Sequence, residues 1–152
     1  MFKKCSCGHV MEMDLRRLVY NRGARKASIS HVPVFACQNC SAFELMPLIK
    51  QDVVTYITSL ERKGTPLEVS LADICEPASL LRKVLRKAEA SSSPLTELCK
   101  EAFDERINML LDLYRFAKNN RDYTWMEEIQ QRLEKLTLFL KRIQEHSDIY
   151  AS

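Results

Sequence analysis

A chain of 152 residues with 46% hydrophobic content is long enough for one good core, or for a small metal-stapled module joined to a helical one. With only three Gly and five Pro against abundant Leu, Lys, Glu and Arg, it leans helical rather than all-β. No stretch approaches the roughly 20 consecutive apolar residues of a membrane span, and the amino terminus lacks the apolar run of a signal peptide, so the expectation is a cytoplasmic chain without membrane partners. The net charge of +3 is unevenly placed: residues 1–43 carry seven basic against two acidic side chains, a net of +5, which leaves −2 for the remainder.

Six cysteines in a cytosolic chain do not read as a disulfide framework, because the thiol pool keeps such pairs reduced. Metal binding or plain burial must account for them. The first segment opens with Cys5-Ser6-Cys7-Gly8-His9 and closes with Cys37-Gln38-Asn39-Cys40. Between the pairs, Met11, Met13 and Leu15 alternate with polar residues as a half-buried strand does. Asn21-Arg22-Gly23 supplies a turn, since Asn and Gly accept positive φ at little cost. The return segment Ser28–Phe35 is β-branched and again alternating, and Pro33, which cannot donate a ladder hydrogen bond, predicts an edge strand or a strand with a local break.

A hairpin of this length brings the two cysteine pairs together. Zinc takes four soft or borderline ligands in a tetrahedron, and thiolates supply both charge and short bonds. The expected ligands are Cys5, Cys7, Cys37 and Cys40, the second pair with the usual C-x2-C knuckle spacing and the first a C-x-C variant followed by Gly8. His9 and His31 are the substitutes should Cys5 or Cys7 fail to ligate. Four cysteines leave no open coordination position, so the expected Zn2+ is structural and no enzyme is predicted. These residues, together with Ile29-Ser30-His31-Val32-Pro33, resemble the YgiT-type zinc finger family, which includes the amino-terminal domain of bacterial MqsA-type antitoxins. The resemblance covers about the first third of the chain and implies a structural zinc in a module that can serve protein partners. The family's first pair is C-x2-C, and the helical half here lacks the helix-turn-helix of the DNA-binding antitoxins, so DNA recognition is not implied.

Arg16, Arg17, Arg22, Arg25 and Lys26 cluster around the hairpin, with no acidic residue between Asp14 and Glu44. They form a candidate nucleic-acid-binding surface, set against the plainer reading of a solvated basic face.

Beyond Pro47 the periodicity predicts helices. Residues 51–62 carry Val54, Ile57 and Leu60 on one side, and Gly64-Thr65-Pro66 stops them. Residues 77–88 begin at Pro77 and bury Leu81, Val84, Leu85 and Ala88. Ser91-Ser92-Ser93-Pro94 breaks the chain, with Ser93 as cap and Pro94 in the first turn of a helix over 94–118. That helix is apolar on two adjoining faces, Leu98, Ala102, Met109, Leu113 and Phe116 on one and Phe103, Ile107, Leu110 and Tyr114 on the other, which predicts contact from both sides. Asp122 caps the last helix, 123–146, where Met126, Ile129, Leu133, Leu136, Leu140 and Ile143 keep a spacing of three and four. Cys75 and Cys99, beside apolar neighbours, read as buried structural thiols. Residues 105–135, from Ile107-Asn108-Met109-Leu110 through Trp125 and Leu133, are similar to the IDEAL domain, a helical hairpin of small bacterial regulatory proteins.

The fold expected is α+β: a small β-hairpin zinc ribbon, residues 1–48, followed by an all-α domain, residues 49–152, ending in a long antiparallel helical hairpin. The function expected is that of a noncatalytic zinc-binding regulatory or adaptor protein acting on a protein partner, with a homodimer through the carboxy-terminal helices as one form of association. The alternative is a transcriptional or RNA-level regulator that binds nucleic acid through the basic hairpin.

Overall fold

The structure, a computed structural model, describes residues 2–22, 25–63 and 68–151, with side chains for all of these except 2, 22, 25, 59–63 and 146–151. The elements are β1 (Phe2–Lys4), β2 (Val10–Arg22), β3 (Arg25–Cys37), β4 (Phe43–Leu45), α1 (Pro47–Lys63), β5 (Glu68–Ser70), α2 (Leu71–Ile74), α3 (Glu76–Glu89), α4 (Leu95–Asn119) and α5 (Tyr123–Ala151). The fold is α+β, and the chain divides into two compact units, Met1–Lys83 and Val84–Ser152. The first unit runs past the 1–48 ribbon delimited in the sequence to take in α1, β5 and α2. Among the described residues no helix is long and apolar enough to cross a membrane.

In the first unit β1, β2, β3 and β4 lie side by side, all antiparallel, and β5 joins β3 in parallel. The β2–β3 ladder runs from Met11 opposite Cys37 to Arg22 opposite Arg25. Asn21 and Arg22 belong to the strand, and the rest of the predicted turn, Gly23, lies outside the described residues. So does the predicted helix stop at Gly64-Thr65-Pro66.

β3 is central and continuous through Pro33, so the proline marks neither an edge strand nor a break in the strand itself; it sits where pairing on one side of β3 passes from β5 to β4. The Pro33 carbonyl faces away from β2 and accepts the Met46 N–H at 3.5 Å. Its ring nitrogen points the same way, into the interval between β4, which pairs with Val34–Ala36, and β5, which pairs with Ser28–Ser30. No ladder donor is lost there. Just upstream the register shifts, and Ser30 with His31 opposes Arg17 alone. His31 adopts the left-handed φ of 56°, a conformation histidine tolerates better than most residues.

This bulge holds β5 in place. His31 Nδ1 lies 2.9 Å from Ser70 Oγ, and Arg17 pairs with Glu68 at 2.8 Å. Ser70 stands at the N-cap of α2 but makes no side-chain cap bond, consistent with a hydroxyl turned to the imidazole. Because β4, β5 and α2 meet β3 along its length, every residue from Val32 to Cys37 is buried. The alternation predicted for this strand therefore stops at Val32. β2 keeps its alternation, with Met11 and Met13 buried and Glu12 exposed.

α1 begins at Pro47, earlier than the predicted residue 51, because proline's fixed φ suits the first helical position. Among its described side chains Ile49 and Val53 are buried, joined by Met46 just before the helix, whereas Val54, assigned to the buried stripe, is 53% exposed and Leu60 lies outside the described side chains. Cys75 is buried with its Sγ 3.5 Å from Asp52 Oδ2 on α1.

In the second unit α4 and α5 pack as an antiparallel hairpin. Cys99, Phe103, Leu110 and Ala117 of α4 and Ile129, Leu136, Leu140 and Ile143 of α5 form the buried seam, and the Phe103 and Phe139 rings stack 5.6 Å apart. Burial pushes the Cys99 thiol up to about 12, as expected of a structural cysteine. The turn is set locally. Arg121 takes φ 54°, its N–H bonds to the Lys118 carbonyl, and the Asp122 N–H bonds to the Ala117 carbonyl, closing α4 with a Schellman motif. Asp122 Oδ1 then accepts the Trp125 N–H at 3.1 Å as the predicted cap of α5.

Two expectations for α4 change. Pro94, not Ser93, occupies the N-cap, and the Ser93 N–H donates to Ser91 Oγ instead. The first apolar face is also buried only in part: Leu98 is 4% exposed, but Met109 is 44% and Phe116 59% exposed.

Candidate metal centre

Two loops of the sheet build the site. In the first, between β1 and β2, the Cys5 N–H donates to the His9 carbonyl at 2.8 Å, and the Cys5 carbonyl accepts the Gly8 N–H at 3.0 Å. In the second, between β3 and β4, the Cys37 N–H donates to the Ala42 carbonyl at 2.8 Å, and the Cys37 carbonyl accepts the Ser41 N–H at 3.1 Å. Gly8 and Ser41 both have positive φ, 90° and 59°. The loops are therefore one device at two lengths. A cysteine ends or directly follows a strand, its two backbone groups close a turn, a left-handed residue reverses the chain, and the second cysteine points back toward the first. The C-x-C loop is the C-x2-C loop with one residue fewer.

The ladder does the rest. Pairing of Met11 with Cys37 sets the two loops side by side at one end of the sheet, and an ion pair between Lys3 of β1 and Glu44 of β4 links the short strands flanking them. The four sulfurs all lie within 4.8 Å of one another, with Cys5 to Cys40 at 3.5 Å and Cys7 to Cys37 at 3.6 Å. Sulfurs at the corners of a tetrahedron around zinc, with bonds of about 2.3 Å, are about 3.8 Å apart, whereas a disulfide requires about 2.0 Å. The spacing fits a shared metal ion, and each thiol is free of disulfide bonding. Cys5 and Cys37 are buried and Cys7 and Cys40 exposed, so the site sits at the surface with one side lined.

The electrostatics of the bare thiols point the same way. The His9 backbone N–H, with further hydrogen bonds from its imidazole and from Cys37 and Cys5, holds the Cys7 thiol down at about 5 against the opposing effect of burial. At Cys40 the Ala42 backbone pulls the pKa down, but the thiols of Cys5, Cys37 and Cys7 outweigh it and push it up to about 12. Four sulfurs this close cannot all ionise on their own, and a divalent cation among them removes the obstacle.

Neither histidine nitrogen belongs to the group of four. His9 Nδ1 lies 3.6 Å from Cys7 Sγ, and Asn39 Nδ2 donates to the same sulfur at 3.8 Å, so both act on a ligand from outside. His31 sits at the β3 bulge against Ser70 and Ser30. Asn39 and Ser41 are not among the residues that sequence reasoning singles out. Their signal is position alone, between and just after the second cysteine pair.

The basic residues divide. Arg16 pairs with Asp14 at 2.9 Å and Arg17 with Glu68 at 2.8 Å, while Lys26 is exposed with no ion-pair partner among the described residues. Arg22 and Arg25 face each other in the ladder, and their side chains lie outside the described set. Comparison of the chain with family models, curated proteins and solved structures finds no match.

Proposed function

We propose that this chain is a noncatalytic zinc protein of the cytoplasm, a regulatory or adaptor protein whose metal-bound sheet and helical hairpin present surfaces to a protein partner. The observation that carries the reading is the closed set of four sulfurs. Cys5, Cys7, Cys37 and Cys40 together fill a tetrahedral zinc shell, and a filled shell has no position for a substrate or an activated water. Zinc supplies a cross-link between the two loops and neutralises the thiolates. The chain's own residues orient those thiolates, through the turns at Gly8 and Ser41 and the hydrogen bonds from His9 and Asn39.

Metal analysis with thiol counting tests the premise: one zinc per chain with four protected thiols is expected, and fewer protected thiols would mean an open coordination position and overturn the noncatalytic reading. Light scattering and affinity capture test the role, and a monomer that retains no partner protein overturns it. The homodimer through the carboxy-terminal helices is one outcome of the same measurement. The second reading, nucleic-acid binding, rests on the exposed Arg16, Arg17 and Lys26 and on the absence of acid between Asp14 and Glu44. Its test is binding to mixed RNA and DNA at low and moderate salt, and affinity indifferent to salt rules it out.

A further inference from the structure

Among the described residues β2 is paired on both sides only where β1 reaches it, at Val10–Glu12. From Met13 to Asn21 its outer edge has no partner strand among the described residues. Such an edge is a row of donors and acceptors that another extended chain can complete. The register tells which groups face outward. Leu15 stands opposite Pro33, whose backbone groups point away from β2, so this is a non-hydrogen-bonded pair and the backbone groups of Leu15 point to the free edge. Consistently, the Leu15 N–H is intercepted by Asp14 Oδ1 at 2.8 Å. The extra residue of the bulge lies on β3, so β2 keeps its alternation, and Arg17, Val19 and Asn21 share the outward set.

The side chains along this edge specify what it accepts. Arg16 and Arg17 are exposed, neighbours on opposite faces of the strand, and each is held by a carboxylate of its own chain, Asp14 or Glu68. Exposed pairs of this kind are weak and exchange with competing carboxylates. Val19, 61% exposed, adds an apolar contact beside them. A second copy is disfavoured here, because antiparallel pairing of two β2 edges sets the arginine pair of one against that of the other. A nucleic acid would take the arginines but leave the outward amides unused.

We propose that the free edge of β2 between Met13 and Asn21 docks an extended acidic segment of a partner protein, which adds to the sheet as a further strand and offers two consecutive carboxylates to Arg16 and Arg17. This rests on the adaptor reading and names the partner's chemistry.

The experiment uses the zinc-loaded full chain with two labelled probe peptides, Thr-Val-Glu-Glu-Val-Thr and the same peptide with Lys-Lys at its centre. Anisotropy and amide hydrogen exchange are the readouts. The Glu-Glu peptide is expected to bind and to slow exchange at Arg17, Val19 and Asn21, and the Lys-Lys peptide to do neither. Combined Arg16→Glu and Arg17→Glu weakens the first by roughly tenfold or more and confers binding on the second. Asp14→Ala, which releases the Leu15 N–H and Arg16, strengthens Glu-Glu binding and serves should the charge-reversed chain fail to keep its zinc. Unchanged exchange along β2, peptide affinity indifferent to these substitutions, or protection by duplex DNA in place of the peptide overturns the proposal. A partner protein captured equally well by the charge-reversed chain would remove β2 as its site while leaving the adaptor reading standing.

Discussion

The two units solve the same problem, burial of an apolar face, by different means. In the sheet unit the central strand β3 is joined by elements drawn from far along the chain, β5 and α2, which arrive only after α1, and the strands at the two edges, β1 beside β2 and β4 beside β3, are three residues each. Two loops at one end concentrate four thiols that repel one another once ionised, an arrangement a shared metal ion would neutralise. In the hairpin unit two helices consecutive in the chain fold back through a turn whose hydrogen bonds are all local, and the buried stripe of one meets that of the other, as in the stack of Phe103 on Phe139. A locally closed turn and a continuous apolar stripe on each helix hold that unit, and the four clustered thiols all lie in the other.

Removing the ion tests this contrast most severely. Structural zinc contributes on the order of 10–16 kcal/mol of binding free energy in small finger peptides, much of which appears as folding. Chelation is therefore expected to raise amide exchange throughout β2–β4 while α4 and α5 keep their protection. Loss of the far-UV helical signal in proportion to zinc would contradict two separable units. Phe139→Ala addresses the other side: it deletes one of the stacked rings and is expected to cost about 3–5 kcal/mol in denaturant unfolding of the hairpin without changing zinc content.

Smaller effects probe the equivalence of the two loops. A Cβ at Gly8 meets nothing within 4 Å, so Gly8→Ala strains only the backbone at φ 90° and should cost about 1–2 kcal/mol, read as weaker zinc retention against a competing chelator. Ser41→Gly, at the corresponding position of the other loop, should change retention in the opposite direction by a smaller amount. Smallest is Asp122→Ala, which removes the cap of α5 and should cost about 1 kcal/mol in the thermal unfolding of the hairpin, with the zinc site untouched.

Several features are legible in the order of residues because their cause is local. The cysteine pairs announce their chemistry by spacing, the last helix by a strict run from Ile129 to Ile143, and its start by an aspartate placed to cap it. Other features have no local cause to read. Val54 and Ile49 are equally apolar, and only the position of α1 against β3 decides that Ile49 is buried and Val54 exposed. Met109 and Phe116 read as core because apolarity does not reveal how many neighbours a helix has.

Donor chemistry, capping and periodicity act over a few residues, so the sequence alone dictates which residues can bind a metal, where the helical hairpin turns, and that the chain is α+β. Tertiary pairing is what places Pro33 in a gap between two partner strands, makes a bulge at His31 carry β5, and leaves the outer edge of β2 beyond Glu12 without a partner strand among the described residues. Those outcomes depend on contacts between segments distant in the chain, whose register no local pattern encodes.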